Sequence, residues 1–325
     1  MMFLMLLLVA FFAVAQESTP PNLPDLLSRL AEEAEILRQN APKALSQETL
    51  EQRALMPVTR FRPRIGRQAA NAPPEPPRLV VREIVSEYSV GLLKDAAEPT
   101  LTELRQVVSV DGRKVQTVER ARHTLSLGVT SQGDRIRKRM LEDFARHGLV
   151  DIATDYGIIL LAFTKRGLEN MNVQFAGEAQ VGADAVWVLA FEQTTSDAGM
   201  LQFVGKEADR RALQGRVMMR KSDSLPVRVE VWSKPPAASV DKLFKQWAGG
   251  KPPVTTGDEA TVDYIRSAHG FVTPASVHHR HLVDGKLITE NLYRYEPFRK
   301  FSADAEIKFT ELPATPDAPR PDGKK

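Results

Sequence analysis

Not one of the 325 residues is a cysteine. Disulfides, thiolate metal sites and cysteine nucleophiles are therefore excluded, and the fold has to hold together on its own core. No cysteine follows the opening apolar run either, so that run offers no acceptor for a lipid anchor. Neither charge sign dominates: 44 basic residues stand against 41 acidic ones, a net charge of +3 that gives nucleic-acid binding no support. Several catalytic signatures are missing, among them Gly-x-Ser-x-Gly, a phosphate-cradling Gly-x-x-x-x-Gly-Lys loop, a dinucleotide fingerprint and His-Glu-x-x-His. These absences predict a protein that is not an enzyme and needs no cofactor. There is no internal repeat.

What the chain does have begins with an unbroken apolar run, Phe3 to Phe12, followed by Ala13-Val14-Ala15. That small-x-small ending is what signal peptidase cleaves after, although no Lys or Arg precedes the run. A membrane span needs about twenty apolar residues to cross a core of about 30 Å, and Gln16, Glu17 and two prolines come too soon for that. Residues 1–15 thus read as a signal peptide, the mature chain starts at Gln16, and the expected location is periplasmic or secreted.

Residues 16–77 read as an N-terminal helical segment with a linker. Leu26, Leu27, Leu30, Ala34 and Leu37 recur at helical spacing behind Asp25 as N-cap, and Ser46 to Leu55 suggests a second, shorter helix. Six prolines and Arg60, Arg62, Arg64 and Arg67 then crowd the stretch from Met56 to Pro77, a solvated linker or a surface for an anionic partner.

From Arg78 the period changes to two, and 78–310 reads as one sheet domain. Val80, Ile84, Tyr88 and Leu92 share a strand face, Leu101 to Val110 follows, and Asp111-Gly112 is a strong hairpin signal before a return strand over Lys114 to Val118. A helix behind Ser131 turns Ile136, Met140, Leu141 and Phe144 inward and ends at Gly148. Strands are then expected at Tyr156 to Lys165, Met171 to Gly177, Ala185 to Gln193, Leu213 to Lys221, Pro226 to Ser233, Ser276 to Val283, Leu287 to Tyr295 and Ala305 to Thr310. Short turns between them leave no room for crossover helices, so the sheet is an antiparallel meander. Lys234 to Val262 interrupts it, with a possible helix at Val240 to Trp247, and 311–325 reads as a disordered tail.

The strand pair Leu213 to Val231, the closing run Ser276 to Phe309, the Glu48 to Gln52 helix and Val107-Val108-Ser109-Val110-Asp111-Gly112-Arg113 resemble uncharacterised secreted bacterial proteins that look like the Lol-type lipoprotein-localisation carriers. The resemblance implies an α+β fold, a large curved antiparallel β-sheet forming a half-open barrel covered by a few helices, with acyl chains held between sheet and helices. Val227, Val229 and Val231 alternate with Arg228 and Glu230, one apolar face and one wet. Val186 to Phe191 and Ile158 to Phe163 are apolar throughout, so both of their faces should be covered. Trp187, Leu189, Phe191, Val227, Val229 and Val231 are the candidate ligand-binding residues, with Phe203, Met218 and Met219 nearby. The alternative is that each is ordinary core.

His278-His279-Arg280-His281 invites a metal reading, because strand alternation places His279 and His281 on one face. No third ligand is visible, and no metal site is expected. The expected function is non-enzymatic: carrying or sequestering a lipid, a lipoprotein acyl chain or another apolar ligand in the cell envelope. The alternative is an envelope protein–protein interaction module without a ligand cavity.

Overall fold

Fourteen strands and four helices follow one another in a computed structural model that describes residues 22–56, 76–93, 100–131, 134–152, 154–194, 200–204, 207–233 and 256–301. The segment read as a signal peptide, nearly all of the Pro/Arg-rich stretch, the candidate helix at Val240 to Trp247, the strand expected at Ala305 to Thr310 and the stretch read as a tail lie outside the described residues.

The elements run α1 (Leu23–Asn40), β1 (Ala44–Met56), β2 (Arg78–Leu93), β3 (Thr100–Val110), β4 (Arg113–Lys114), α2 (Val118–Ser131) and α3 (Asp134–Arg146). A 3₁₀ run, Ile159–Phe163, leads into α4 (Lys165–Leu168). Then come β5 (Met171–Val181), β6 (Asp184–Gln193), β7 (Met200–Val204), β8 (Glu207–Arg211), β9 (Leu213–Arg220) and β10 (Pro226–Ser233). The chain closes with β11 (Thr256–Arg266), β12 (Val272–Val283), β13 (Lys286–Tyr295) and β14 (Arg299–Lys300).

Twelve strands form one sheet in the order β4-β3-β2-β1-β13-β12-β11-β10-β9-β6-β5, with β14 beside β1 and β7–β8 as a separate hairpin. Every pairing is antiparallel, and none joins β4 to β5, so the sheet stays open. This is the expected α+β class: one large antiparallel sheet with a few covering helices. Its two meandering halves meet where the first strand lies against the penultimate one, Leu50 opposite Tyr293. The hairpin signals are met as read. Asp111 and Gly112 adopt φ of 48° and 74°, and Asp284 and Gly285 adopt 49° and 72°, the left-handed pair that tight two-residue turns require. No helix among the described residues is long and apolar enough to cross a membrane.

α1 buries Leu26, Leu30, Ala34 and Leu37 on one stripe, as the helical spacing predicts, but it starts two residues ahead of Asp25 and no side chain caps it. α3 turns Met140 and Phe144 into the core and ends at Arg146, two residues before Gly148, whose φ is 81°.

Four readings are corrected. Ser46 to Leu55 is strand β1, not a helix, so the sheet already begins at Ala44. Its Glu, Gln and Ala residues favour helix locally, while its inward positions Ser46, Glu48 and Gln52 are polar and hide the period of two. Tyr156 to Lys165 is not a strand: it is the 3₁₀ run and α4, and its apolar residues are buried because the segment lies across the sheet. A short apolar run cannot by periodicity alone be told from a buried helical turn. The return strand after Gly112 is only two residues long, after which Val115 and Gln116 amides bond to the Val108 carbonyl and α2 begins. Finally, β11 falls largely inside the stretch read as an interruption.

Candidate functional site: the concave face and its strap

Apolar alternation on β6, β9, β10 and β11 builds a continuous floor. Trp187, Leu189 and Phe191 of β6 join Val217, Met219, Val229, Val231 and Val262 in the main core. All eight are at most 4 % exposed, so no water-filled space separates them from what lies above. Of the six candidate residues, five therefore share this floor. Val227 does not: a register shift between Pro226 and Arg228 sends it to a smaller cluster with Val186, Val188 and Met218 on the other face. The single apolar face drawn through Val227, Val229 and Val231 is corrected to Val229 and Val231. The even residues of β6 supply the second cluster, which is why Val186 to Leu189 is buried on both faces.

The cover has two parts. α1 lays down its leucine stripe, and the irregular chain from Leu149 to Asn170 adds Tyr156, Ile158, Ile159, Leu160 and Phe163. Phe163 meets Phe191 edge-on, ring centres 4.9 Å apart. We refer to residues 149–170 as the strap. An irregular buried backbone has no ladder to satisfy its amides and carbonyls, and those groups must be paired all the same. Polar side chains on the inward face of the sheet do the pairing. Gln52 donates to Val150 O at 2.7 Å and accepts from Val150 N at 2.9 Å, a side-chain imitation of a neighbouring strand. Asn291 donates to Asp151 O at 3.0 Å, and Thr289 to the Asp151 carboxylate at 2.9 Å. Tyr264 Oη donates to Gly157 O at 3.2 Å and accepts from Leu160 N at 3.3 Å. Asp155, at φ of 68°, accepts from Thr102 Oγ1 and from Glu103 N, both at 2.8 Å, and its own amide donates to Glu103 Oε2 at 2.7 Å.

Beneath this last anchor lies a buried ionic cluster. Arg105 donates through Nε to both oxygens of Glu48 at 2.7 and 2.9 Å, and through Nη2 to Glu103 at 2.8 Å. The Tyr88 and Tyr293 rings each sit 5.2 Å from its guanidinium carbon. Its Nη1 has no hydrogen-bond partner among the described residues. One guanidinium thus faces Glu48, Glu103 and Asp155. Burial pushes the Glu48 carboxyl up against the opposing pull of Arg105. Burial first, and the Glu103 charge second, raise Asp155 from 3.8 to about 6. Burial disfavours the Arg105 charge, but Glu103 and Glu48 outweigh it and hold the group above its ordinary range.

The sign of the pH effect follows from these directions. Asp155 loses its proton near 3.8 in the unfolded chain and near 6 in the fold, so the fold holds more protons between those values. Stability is highest below about pH 4 on this account and falls as pH rises to about 6, by roughly 3 kcal/mol for a two-unit shift. Asp155→Asn keeps an oxygen acceptor and tolerates positive φ. Denaturant unfolding of both proteins from pH 4 to pH 7.5 is expected to show the variant gaining on the wild type as pH rises; a constant difference would remove Asp155 as the titrating group.

The histidine strand carries a second network. His279 and His281 do lie on the same side, and both bond Asp258 Oδ1, at 3.0 Å through Nε2 and 2.9 Å through Nδ1. His278 is on the other side, 2.8 Å from Glu290. Asn291 gives one amide hydrogen to Asp151 O and the other to His279 Nδ1 at 3.1 Å, while its Oδ1 accepts from Gln52. His279 is therefore an acceptor at Nδ1 and a donor at Nε2, committed at both nitrogens with no lone pair left for a metal. Burial opposes the charge on Asp258, but the two imidazole hydrogen bonds outweigh it and hold its carboxyl far below the usual range. Among the described residues no group of three His, Asp or Glu side chains is arranged to hold a metal ion. Through Asn291 and Gln52 this network also reaches the strap.

The sequence reading did not anticipate the Glu48–Arg105–Glu103–Asp155 cluster. The signal was there in the charges at alternate positions Glu103 and Arg105, on the same strand face as Val107.

No protein-family model matches the chain, and no curated protein matches it. Among solved structures, a DUF1329-family protein from Desulfovibrio piger ATCC 29098 is 8 % identical, covers 85 % of this chain and 94 % of its own, and superposes with a TM-score of 0.35. A LolA-superfamily protein from Nitrosomonas europaea is 8 % identical over 84 % of this chain and 93 % of its own, TM-score 0.28. A domain described as an outer membrane lipoprotein-sorting protein, from Vibrio parahaemolyticus, is 10 % identical over 85 % of this chain and 95 % of its own, TM-score 0.29. The last two are of the kind the closing strands resemble; what such proteins carry or sort belongs to them, and the sheet described above stands on its own pairings.

Proposed function

We propose that the chain is a non-enzymatic carrier that sequesters or shuttles a lipid, a lipoprotein acyl chain or another apolar ligand in the cell envelope. The ligand would take the place over the concave floor that the strap now holds. One observation carries this reading: a broad apolar floor is covered by irregular backbone whose polar attachment is made of side-chain hydrogen bonds, not of a sheet ladder, and whose apolar contacts an acyl chain could supply instead. Each such bond is worth only about 0.5–1.5 kcal/mol net, because water replaces it on release. An acyl chain laid on Leu189, Phe191 and Val229 would keep the floor as dry as Phe163 and Leu160 keep it now. The apolar run Phe3 to Phe12 with Ala13-Val14-Ala15 after it, read as a signal peptide, supports the compartment.

The test is binding of a fluorescent fatty acid, alongside native mass spectrometry of gently purified protein. Gln52→Ala combined with Asn291→Ala removes anchors at Val150 and Asp151 and is expected to tighten binding about tenfold or more, since the open state then costs less to populate. No binding by the wild type or by the loosened variant would overturn the carrier reading.

A second reading, an interaction module for another envelope protein, rests on a different observation. Leu55 and Leu79 face each other across β1 and β2, and with Val81 they are exposed, Leu79 at 64 %. On that reading Leu79→Glu abolishes association with the partner and loosening the strap changes nothing.

A further inference from the structure

The outward face of the sheet, on the side of β6 opposite the strap, carries a cleft. Register places Asn172, Glu192, Gln214 and Trp232 in one row across β5, β6, β9 and β10. The neighbouring row is Gln174, Ala190, Arg216 and Glu230. Ala190 is the small member in the middle, and the surface dips there into a cleft of about 760 Å³ whose lining includes Gln174, Glu192, Gln214, Arg216 and Trp232. With strands about 4.8 Å apart, each row spans about 14 Å.

The lining has a definite chemical character. Three carboxamides, a carboxylate and a guanidinium offer donors and acceptors in forked pairs, and the one carboxylate and one guanidinium lining the cleft balance in charge. Arg216 is exposed and forms no ion pair among the described residues. An indole joins them, and Met171, Val173, Ala190, Phe191 and Gly215 make up the rest of the lining. Trp187, the other tryptophan among the described residues, is in the core, whereas Trp232 is half-buried on this wet face and makes no ring contact among the described residues. An anion would meet Glu192, a cation would meet Arg216, and a lipid chain would strand the carboxamides. A neutral polyhydroxylated ring suits all of them: its vicinal hydroxyls bond to forked amides and charged groups, and its C–H face lies on the indole.

We propose that this outward cleft binds a saccharide of about two sugar units, with Trp232 as the stacking platform and Glu192, Arg216 and the carboxamides as hydroxyl partners. The site lies on the face opposite the strap and shares with the floor only Phe191, so it is tested apart from the carrier reading.

The experiment is calorimetric titration of the full chain with four neutral disaccharides, cellobiose, maltose, lactose and N,N′-diacetylchitobiose, together with tryptophan fluorescence. At least one is expected to bind and to quench emission. Trp232→Ala and Arg216→Ala, both on the sheet's outward face, are each expected to weaken that binding tenfold or more with unchanged circular dichroism. Trp232→Phe is expected to retain most of the heat but to lose the quench, which a remote effect of the substitution would not produce. Fatty-acid binding is expected to stay at the wild-type level in all three variants. Absence of binding by all four sugars, or binding that survives both alanine substitutions, would overturn the proposal.

Discussion

Val229→Lys is expected to lower the unfolding free energy by several kcal/mol. Val229 is fully buried, opposite Val217 on one side and Val262 on the other, all within the main core. An ammonium placed there finds no carboxylate on the adjoining floor and must be desolvated unpaired or lose its proton, and either route costs several kcal/mol. Set against a typical stability of about 5–15 kcal/mol, that is a large share of the fold. Thermal melting by circular dichroism, run beside fatty-acid binding, checks it. A variant that keeps its melting temperature but loses its ligand would show that Val229 faces exchangeable space above the floor, and one that keeps both would take β10 out of the carrier reading.

Arg105→Met has an effect of similar size for the opposite reason. It leaves the fold short of a charge: Glu48 and Glu103 remain buried, each about 1 % exposed, with their common cation gone. Breaking a buried pair by removing one partner costs about 3–5 kcal/mol, because the orphaned charge is what destabilises. Glu48, whose carboxyl burial already pushes up, can relieve part of the cost by taking up a proton. The loss should therefore be smallest near pH 4 and grow as pH rises, the direction already set by the raised carboxyls of Glu48 and Asp155. Adding Glu48→Gln to Arg105→Met should recover part of the stability, and a double-mutant cycle measures that coupling. If Arg105→Met unfolds at the wild-type denaturant midpoint at pH 8, the cluster is not holding the strap end of the sheet together.

The two edges of the sheet show why sequence and tertiary structure must be weighed separately. At the β3 edge the amides are taken up by groups from elsewhere: Glu103 N donates to Asp155 and Arg105 N to the Met140 sulfur, and Gln116 donates to Val107 O. Nothing local in Leu101 to Val110 announces those partners. At the β5 edge the start at Met171 is read from its own residues, but the strand expected to end at Gly177 runs on to Val181 through a bulge at Phe175–Gly177, with a single charge, Glu178.

Local chemistry was legible wherever a few neighbouring residues suffice. Asp-Gly turns need positive φ, leucines every three or four residues make a helical stripe, and alternating valines make a strand, so α1, α3, β6, β10, β12, β13 and the hairpins follow from short stretches of chain. By itself the sequence determined an antiparallel meander with covering helices, no thiol chemistry and a balanced charge. The tertiary structure decided the rest. β1 is a strand because Glu48 finds Arg105 and Gln52 finds Asn291 and Val150, partners 57, 239 and 98 residues away. Residues 156–165 lie across the sheet because Gln52, Asn291, Tyr264 and Glu103 satisfy the strap's backbone from four separate positions in the chain, while Thr289 holds the Asp151 carboxylate. A polar residue on an inward strand face looks like an error in the pattern until its distant partner is in place; burial then turns it into an anchor, since an unpaired polar group there would cost more than the hydrogen bond itself contributes.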